Sequence, residues 1–217
     1  MPLIHKHKLV FQHIPKTAGL SICNFFEVTG DGHQHIQWYH KVLDQQNQGW
    51  DEWRAFTVVR DPIDRFLSAW KMYNRIPEGQ ENNDSIFRLK NKCPELFSLS
   101  IDEFINYEIL HKLGCDEDAF HFWPVTNYYQ SGNPKTLEKT NLCPHYVLKF
   151  EQLHSDMSSL SNIIGFDYNK LPHKNYSPAE QLKISAESEK KLEHYFAEDY
   201  SLLNRFIDEA HVGLLCR

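Results

Sequence analysis

Apolar positions first concentrate in KLVFQHI, Lys8 to Ile14, a nearly continuous run too short for a helix, which predicts a strand. The turn-prone PKTAG interrupts it, and LSICNFFEV then predicts a helix. TGDGHQHIQWYHKVL opens as a loop around its two glycines and passes into a further structured segment. AFTVVR, Ala55 to Arg60, predicts a second strand. The next helix is signalled by Asp61 as cap, Pro62 at the first helical position and Asp64 in the first turn. Ile63, Phe66, Leu67 and Trp70 recur at i, i+3, i+4 and i+7 and give that helix a buried face.

The middle of the chain is harder to read. RIPEGQENNDSIFRLKNKCPELFSLS is polar and interrupted, consistent with an excursion bearing a short helix, and IDEFINYEILHKLG predicts a helix ending at Gly114. HFWPVTNYYQSGNPKT is aromatic and turn-rich, as a lid or as ordinary loop packing. YVLKF, Tyr146 to Phe150, predicts a third strand, and Ser177, Pro178 and Glu180 form a capping-box helix start. Leu192, Tyr195, Phe196, Leu203 and Phe206 mark one face of a long helix near the end. Strands interspersed with helices predict an α/β layered domain with a mostly parallel sheet. The length of 217 residues suits a single domain over 1–217, with an excursion at 75–145, and leaves room for two small modules.

Composition narrows the partners. With 23 basic against 29 acidic residues the net charge is −6, which argues against nucleic-acid and anionic-membrane binding but not against a small anion held by a few local donors. Five cysteines without a C-x-x-C unit do not form a secreted disulfide framework and suit a reducing compartment. Apolar runs fall short of membrane-spanning length, so stable insertion is not expected. A cytoplasmic location is expected for a complete chain, and a Golgi-luminal one for a truncated domain. The pattern leaves homo-oligomerisation undecided.

PKTAG between a strand and a helix gathers candidates for an anion site. Lys16 brings a mobile positive charge, the helix start brings N–H groups and dipole, Thr17 and Ser21 bring hydroxyls, and Gly19 removes a side-chain obstruction. The Walker spacing G-x-x-x-x-G-K-[ST] is absent. Arg60 closes a strand where a helix begins, so its guanidinium can grip a phosphate bidentately, with Ser68 on the helix as a further donor. Structural readings stand beside these: an exposed Lys16, capping by Thr17 and Ser21, an Arg60 pair with Asp61 or Asp64, and a solvent-facing Ser68.

FQHIPKTAGLS and VVRDPIDRFLSAW together resemble two segments of the carbohydrate-directed, P-loop-like sulfotransferases, especially the family that includes heparan sulfate 2-O-sulfotransferase. The similarity continues through HFWPVTNYY, YVLKFEQL, LPHKNYSPAE and HYFAEDYSLLNRF. The resemblance implies a P-loop NTPase-like three-layer α/β domain with a mostly parallel central sheet. It further implies use of 3′-phosphoadenosine 5′-phosphosulfate (PAPS). Lys16 would contact the 5′-phosphosulfate, with Thr17, Ala18, Gly19, Leu20 and Ser21 forming the loop around it. Arg60 and Ser68 would hold the 3′-phosphate. His33 and His35 resemble an H-x-H element whose second histidine is the base, which assigns His35 to catalysis and His33 to support or acceptor binding. Glu27 and His40 remain alternative bases. His121 and Trp123 would line the acceptor cleft or pack as aromatic loop residues. Glu151 and Asp199 read as structural, and Asn175 as a turn, a cap or a support of the nucleotide site.

The implied activity is sulfuryl transfer from PAPS to a hydroxyl of a saccharide or glycoconjugate, with no metal assigned. Two other readings remain: a nucleotide-dependent phosphotransferase, and a catalytically silent saccharide-binding protein.

Overall fold

A computed structural model describes residues 2–30, 32–75, 84–94, 98–106, 116–130, 144–172, 182–208 and 213–214, and structural statements below concern these residues. The chain packs as two compact units, each assembled from separate stretches. The first comprises Met1–Arg60, Val125–Ser177 and Ser201–Arg217, and the second Asp61–Pro124 and Pro178–Tyr200. The 75–145 excursion is therefore divided between them.

The first unit is built on a five-stranded sheet in sequence order: β1 (Leu3–Ile4), β2 (Leu9–Gln12), β3 (Arg54–Val59), β4 (Tyr146–Lys149) and β5 (Gly213–Leu214). β2, β3 and β4 run parallel and form its centre, while the two-residue edge strands pair antiparallel, so the sheet is mixed with a parallel middle. β2 is shorter at both ends than the Lys8–Ile14 expected, and β3 begins one residue early and stops at Val59.

Alternation along the strands sends side chains to two apolar layers. Leu9, Phe11, Phe56, Val58 and Leu148 face Ile22 of α1 (Gly19–Phe25) and Leu153, Met157 and Leu160 of α7 (Leu153–Ile164). Val10 and Ala55 face Ile36, Tyr39 and Leu43 of α2 (Ile36–Gln45), with Trp53 beside them. Helices thus cover both faces of the sheet, which explains why the strands read as nearly continuous apolar runs. α6 (Thr126–Gln130) also belongs to this unit. α2 lies where only a structured segment was expected after the histidine-rich loop.

The second unit is helical. It contains α3 (Pro62–Arg75), α4 (Asp84–Lys92), α5 (Ile101–Asn106), a 3₁₀ turn over Glu117–Phe122, and α8 (Ala186–Tyr195). Its core joins Phe66, Ala69 and Tyr73 of α3 with Phe104, Phe122, Leu192 and Phe196. The Asp61 carboxylate accepts the Asp64 N–H at 2.9 Å, the cap read from the sequence. The face of α3 is rotated from the one expected: Ile63, Leu67 and Trp70 are only partly buried. The buried stripe also takes in Arg65, whose guanidinium donates to the carbonyls of His121, at 3.1 Å, and of Trp123.

One expectation needs adjustment, and three others fall outside the described residues. The long terminal helix is two helices, α8 and α9 (Ala197–Asp208), separated at Phe196, whose φ of −100° and ψ of 19° leave the helical register. Helix α5 is described only to Asn106, so the end expected at Gly114 lies outside the described residues. The same holds for Asn175 and for the Ser177–Glu180 helix start. Among the described residues, no helix is long and apolar enough to cross a membrane.

Candidate active site

Strands β2, β3 and β4 end along one edge of the sheet, the edge at which ligands bind in open α/β proteins. Each exit carries a residue of interest: the loop from Ile14 to Gly19 after β2, Arg60 after β3, and Phe150 after β4.

In the first loop, Lys16 and Ala18 take left-handed backbone conformations, with φ of 67° and 65°. Each costs about 1–2 kcal/mol for a residue with a side chain, a strain tolerated chiefly at functional turns. Left-handed residues within such turns build the concave arrangements of N–H groups that hold anions. Thr17, between them, is fully buried, and its Oγ1 donates to the Ile14 carbonyl at 2.8 Å. The hydroxyl therefore staples the loop, a structural role of the kind read from the sequence beside the anion contact.

Gly19 is needed for space. A Cβ built on it would fall 1.7 Å from Nε2 of His13, whose ring packs against the helix start. Leu20 is 49% exposed and Ser21 is half-buried in the first turn of α1.

Arg60 reaches this loop. Its Nη1 donates to the Lys16 carbonyl at 3.4 Å, while its guanidinium carbon lies 4.4 Å from the centre of the Phe150 ring. Burial, and after it the charge of Arg60, lowers the Lys16 ammonium from 10.5 to about 8. Two cationic side chains thus stand together at the loop, the electrostatic condition for receiving an anion.

His33 belongs to the same neighbourhood. Its ring lies 4.2 Å from that of His13, and its Nδ1 makes a 3.0 Å hydrogen bond with the His13 carbonyl. A carbonyl only accepts, so the proton sits on Nδ1 and the lone pair on Nε2. Burial is the main cause holding both rings neutral; it brings His33 down to about 4 and His13 to about 3, and the Lys16 charge adds to the effect on each.

His35 is placed differently, stacked on Tyr128 at 5.8 Å and hydrogen-bonded to the backbone at Asn127 and Tyr128. Its Nδ1 is buried with no partner, which assigns those bonds to Nε2 and leaves the Nδ1 lone pair. Burial lowers its pKa, and the backbone hydrogen bonds oppose the shift. Of the alternative bases, Glu27 is exposed beyond the end of α1, and His40 packs on Trp50 at 5.5 Å.

The remaining candidates lie in the second unit. Ser68 is half-buried on α3. His121 and Trp123 are buried, the first hydrogen-bonded through Nδ1 to the Tyr73 hydroxyl at 3.0 Å, the second donating from Nε1 to the Asp116 carbonyl at 3.1 Å. Among the described residues their surroundings are those of aromatic packing, the second of the two roles read from HFWP.

The sequence reading missed Gln12 and His13, hidden in an apolar run. Gln12 is fully buried and donates from Nε2 to the Tyr128 carbonyl at 2.8 Å. Two polar residues interrupting a core strand immediately before PKTAG were the available signal.

Comparison with curated proteins and with solved structures finds no match. The sequence profile of the sulfotransferase family, in contrast, matches residues 3–209, a span that takes in the Lys16 loop, Arg60 and the H-x-H segment alike. A match of that extent means that this chain belongs to the sulfotransferase family.

Proposed function

We propose that this protein transfers the sulfuryl group of PAPS to a hydroxyl of a saccharide or glycoconjugate, on a P-loop-like α/β scaffold. The observation that carries this reading is the convergence of Lys16 and Arg60 on one left-handed loop at the ends of β2 and β3. Two neighbouring cations at the ends of parallel strands suit a donor that carries phosphate groups.

In the proposed reaction the acceptor oxygen forms a bond to sulfur as the bond from sulfur to the bridging phosphate oxygen breaks, releasing 3′,5′-adenosine bisphosphate. Lys16 and the loop N–H groups stabilise charge growing on the departing phosphate oxygen, an interaction useful in so far as it strengthens in the transition state. Arg60 retains the 3′-phosphate, away from the bond being made. His35 takes the acceptor proton, which a neutral imidazole can do at physiological pH, and burial favours that neutral form. His33 stands on the donor side, beside His13 and near Lys16.

The test is to incubate the purified protein with sulfur-labelled PAPS and fractionated cellular glycans, and to identify labelled products by mass spectrometry. Label is expected in a saccharide ester, with inhibition by 3′,5′-adenosine bisphosphate and not by ATP. Phosphate transfer from ATP, or failure to bind either PAPS or its bisphosphate product, would overturn the proposal.

A further inference from the structure

His13 follows directly on the last residue of β2, 6% exposed, with its ring at a junction of four parts of the first unit. Phe11 stacks beneath it at 5.5 Å with the planes 21° apart. The His33 ring approaches to 4.2 Å and is hydrogen-bonded to the His13 carbonyl. The backbone at Gly30 bonds the imidazole, and Gly19 meets Nε2 so closely that a Cβ there would overlap it. Among the described residues the buried His13 Nδ1 has no hydrogen-bond partner.

A core needing only to be filled would use an apolar side chain here, because an unpartnered buried nitrogen is costly and rare. A flexible side chain would not hold the contacts on both flanks. The imidazole is planar, rigid and small enough to fit against the bare backbone of Gly19. It is also held neutral, since burial and the neighbouring His33 and Lys16 all oppose its protonation, so it adds no third positive charge beside Lys16 and Arg60.

We infer that His13 is a positioning residue for transfer: its ring, wedged between Gly19 and His33, locks the shape of the donor loop to the placement of the H-x-H segment. Gly19 is then required for the wedge to fit, and not for backbone freedom. The left-handed positions fall instead on Lys16 and Ala18. The inference deepens the PAPS reading and rests on it.

A double-mutant cycle tests it, with the dissociation constant for 3′,5′-adenosine bisphosphate as first readout and the single-turnover rate at saturating PAPS as second. Gly19→Ala should weaken bisphosphate binding about tenfold or more in the presence of His13, and less than about threefold in a His13→Ala background, where the space is open. His13→Ala alone should slow saturated transfer about tenfold, since it loosens the H-x-H segment even when donor is bound. If Gly19→Ala does not fold alone, recovery of folding in the double variant is the same rescue, and continued failure overturns the inference. Equal effects of Gly19→Ala in both backgrounds overturn it too. So does a His13→Ala protein with a lower melting temperature and an unchanged saturated rate, the signature of a merely structural ring. A wild-type protein that does not bind the bisphosphate removes the PAPS reading and this inference together, whereas binding without coupling removes only the inference.

Discussion

The guanidinium of Arg60 donates to the main-chain oxygen of Lys16 across 3.4 Å, tying the exit of β3 to the loop that follows β2. Removing either side chain should therefore damage donor handling, but in distinguishable ways. Lys16→Ala removes charge stabilisation at the departing phosphate and should lower kcat/KM for PAPS by about 100-fold or more. Arg60→Ala acts on a phosphate remote from the transfer and should mainly raise KM for PAPS, by about tenfold, with a smaller effect on kcat. Steady-state kinetics on folded variants decide it, and wild-type values for Lys16→Ala would remove that residue from the reaction.

Protonation of Lys16 should be visible in binding. The free protein holds this ammonium at about 8, below its ordinary 10.5. A bound anion favours the charged form, so bisphosphate affinity should be flat between about pH 7 and 8, where the ligand phosphates are fully ionised, and decline above it, by up to about tenfold per pH unit. Lys16→Arg, permanently charged, should bind with little change over the same range. Stability has the opposite sign. Because the unfolded chain keeps more protons between pH 8 and 10.5, the ligand-free protein should gain stability as pH rises through that window, and Lys16→Met should not. Isothermal titration and thermal unfolding against pH measure the two effects; a wild-type affinity that is level to pH 10 would contradict the first.

The two histidines of the H-x-H segment should separate in single-turnover experiments. His35→Ala should slow transfer by about 10²–10⁴-fold while the donor dissociation constant stays close to wild type, as loss of a general base predicts. His33→Ala should also weaken donor binding, because its ring shares the Lys16 environment. Transfer at the normal rate in the first variant would move the base elsewhere.

In the second unit, Arg65 is fully buried with its guanidinium on the His121 and Trp123 carbonyls and 5.7 Å from the Phe196 ring. Arg65→Ala strips partners from two carbonyls and opens space in the core, and should destabilise the protein by about 3–5 kcal/mol. Ile163→Ser, at a position 56% exposed, should change stability by less than about 0.5 kcal/mol. Equilibrium denaturation compares the pair, and similar midpoints would contradict the account of Arg65.

The three parallel strands were legible because helices cover both their faces and force long apolar runs upon them. The start of α3 was legible because Asp61 and Pro62 solve local backbone problems. The polar residues at the end of β2 were less so. Gln12 and His13 are placed by partners far away in sequence, Tyr128 and His33, and no local pattern announces those. Thr17 carries a hydroxyl fit for an anion, and in the structure it donates to the Ile14 carbonyl three residues back. Gly19 was read as a position that tolerates no side chain, and the His13 ring beside it agrees, but nothing local announced that the left-handed bends fall on a lysine and an alanine on either side of Thr17. The break at Phe196 has no proline or glycine to mark it, and the packing of its ring in the helical core lies beyond what periodicity reports.

Both units draw on distant stretches of the chain, and β5, at Gly213–Leu214, pairs with β4 some seventy residues upstream of it. During synthesis the ribosome must therefore extend the chain well past β4, as far as Leu214, before β5 can join the sheet. Neither half is a contiguous fragment that a single cut would release intact, so truncation from the carboxyl side should expose an unpaired edge of β4 and favour association between nascent chains.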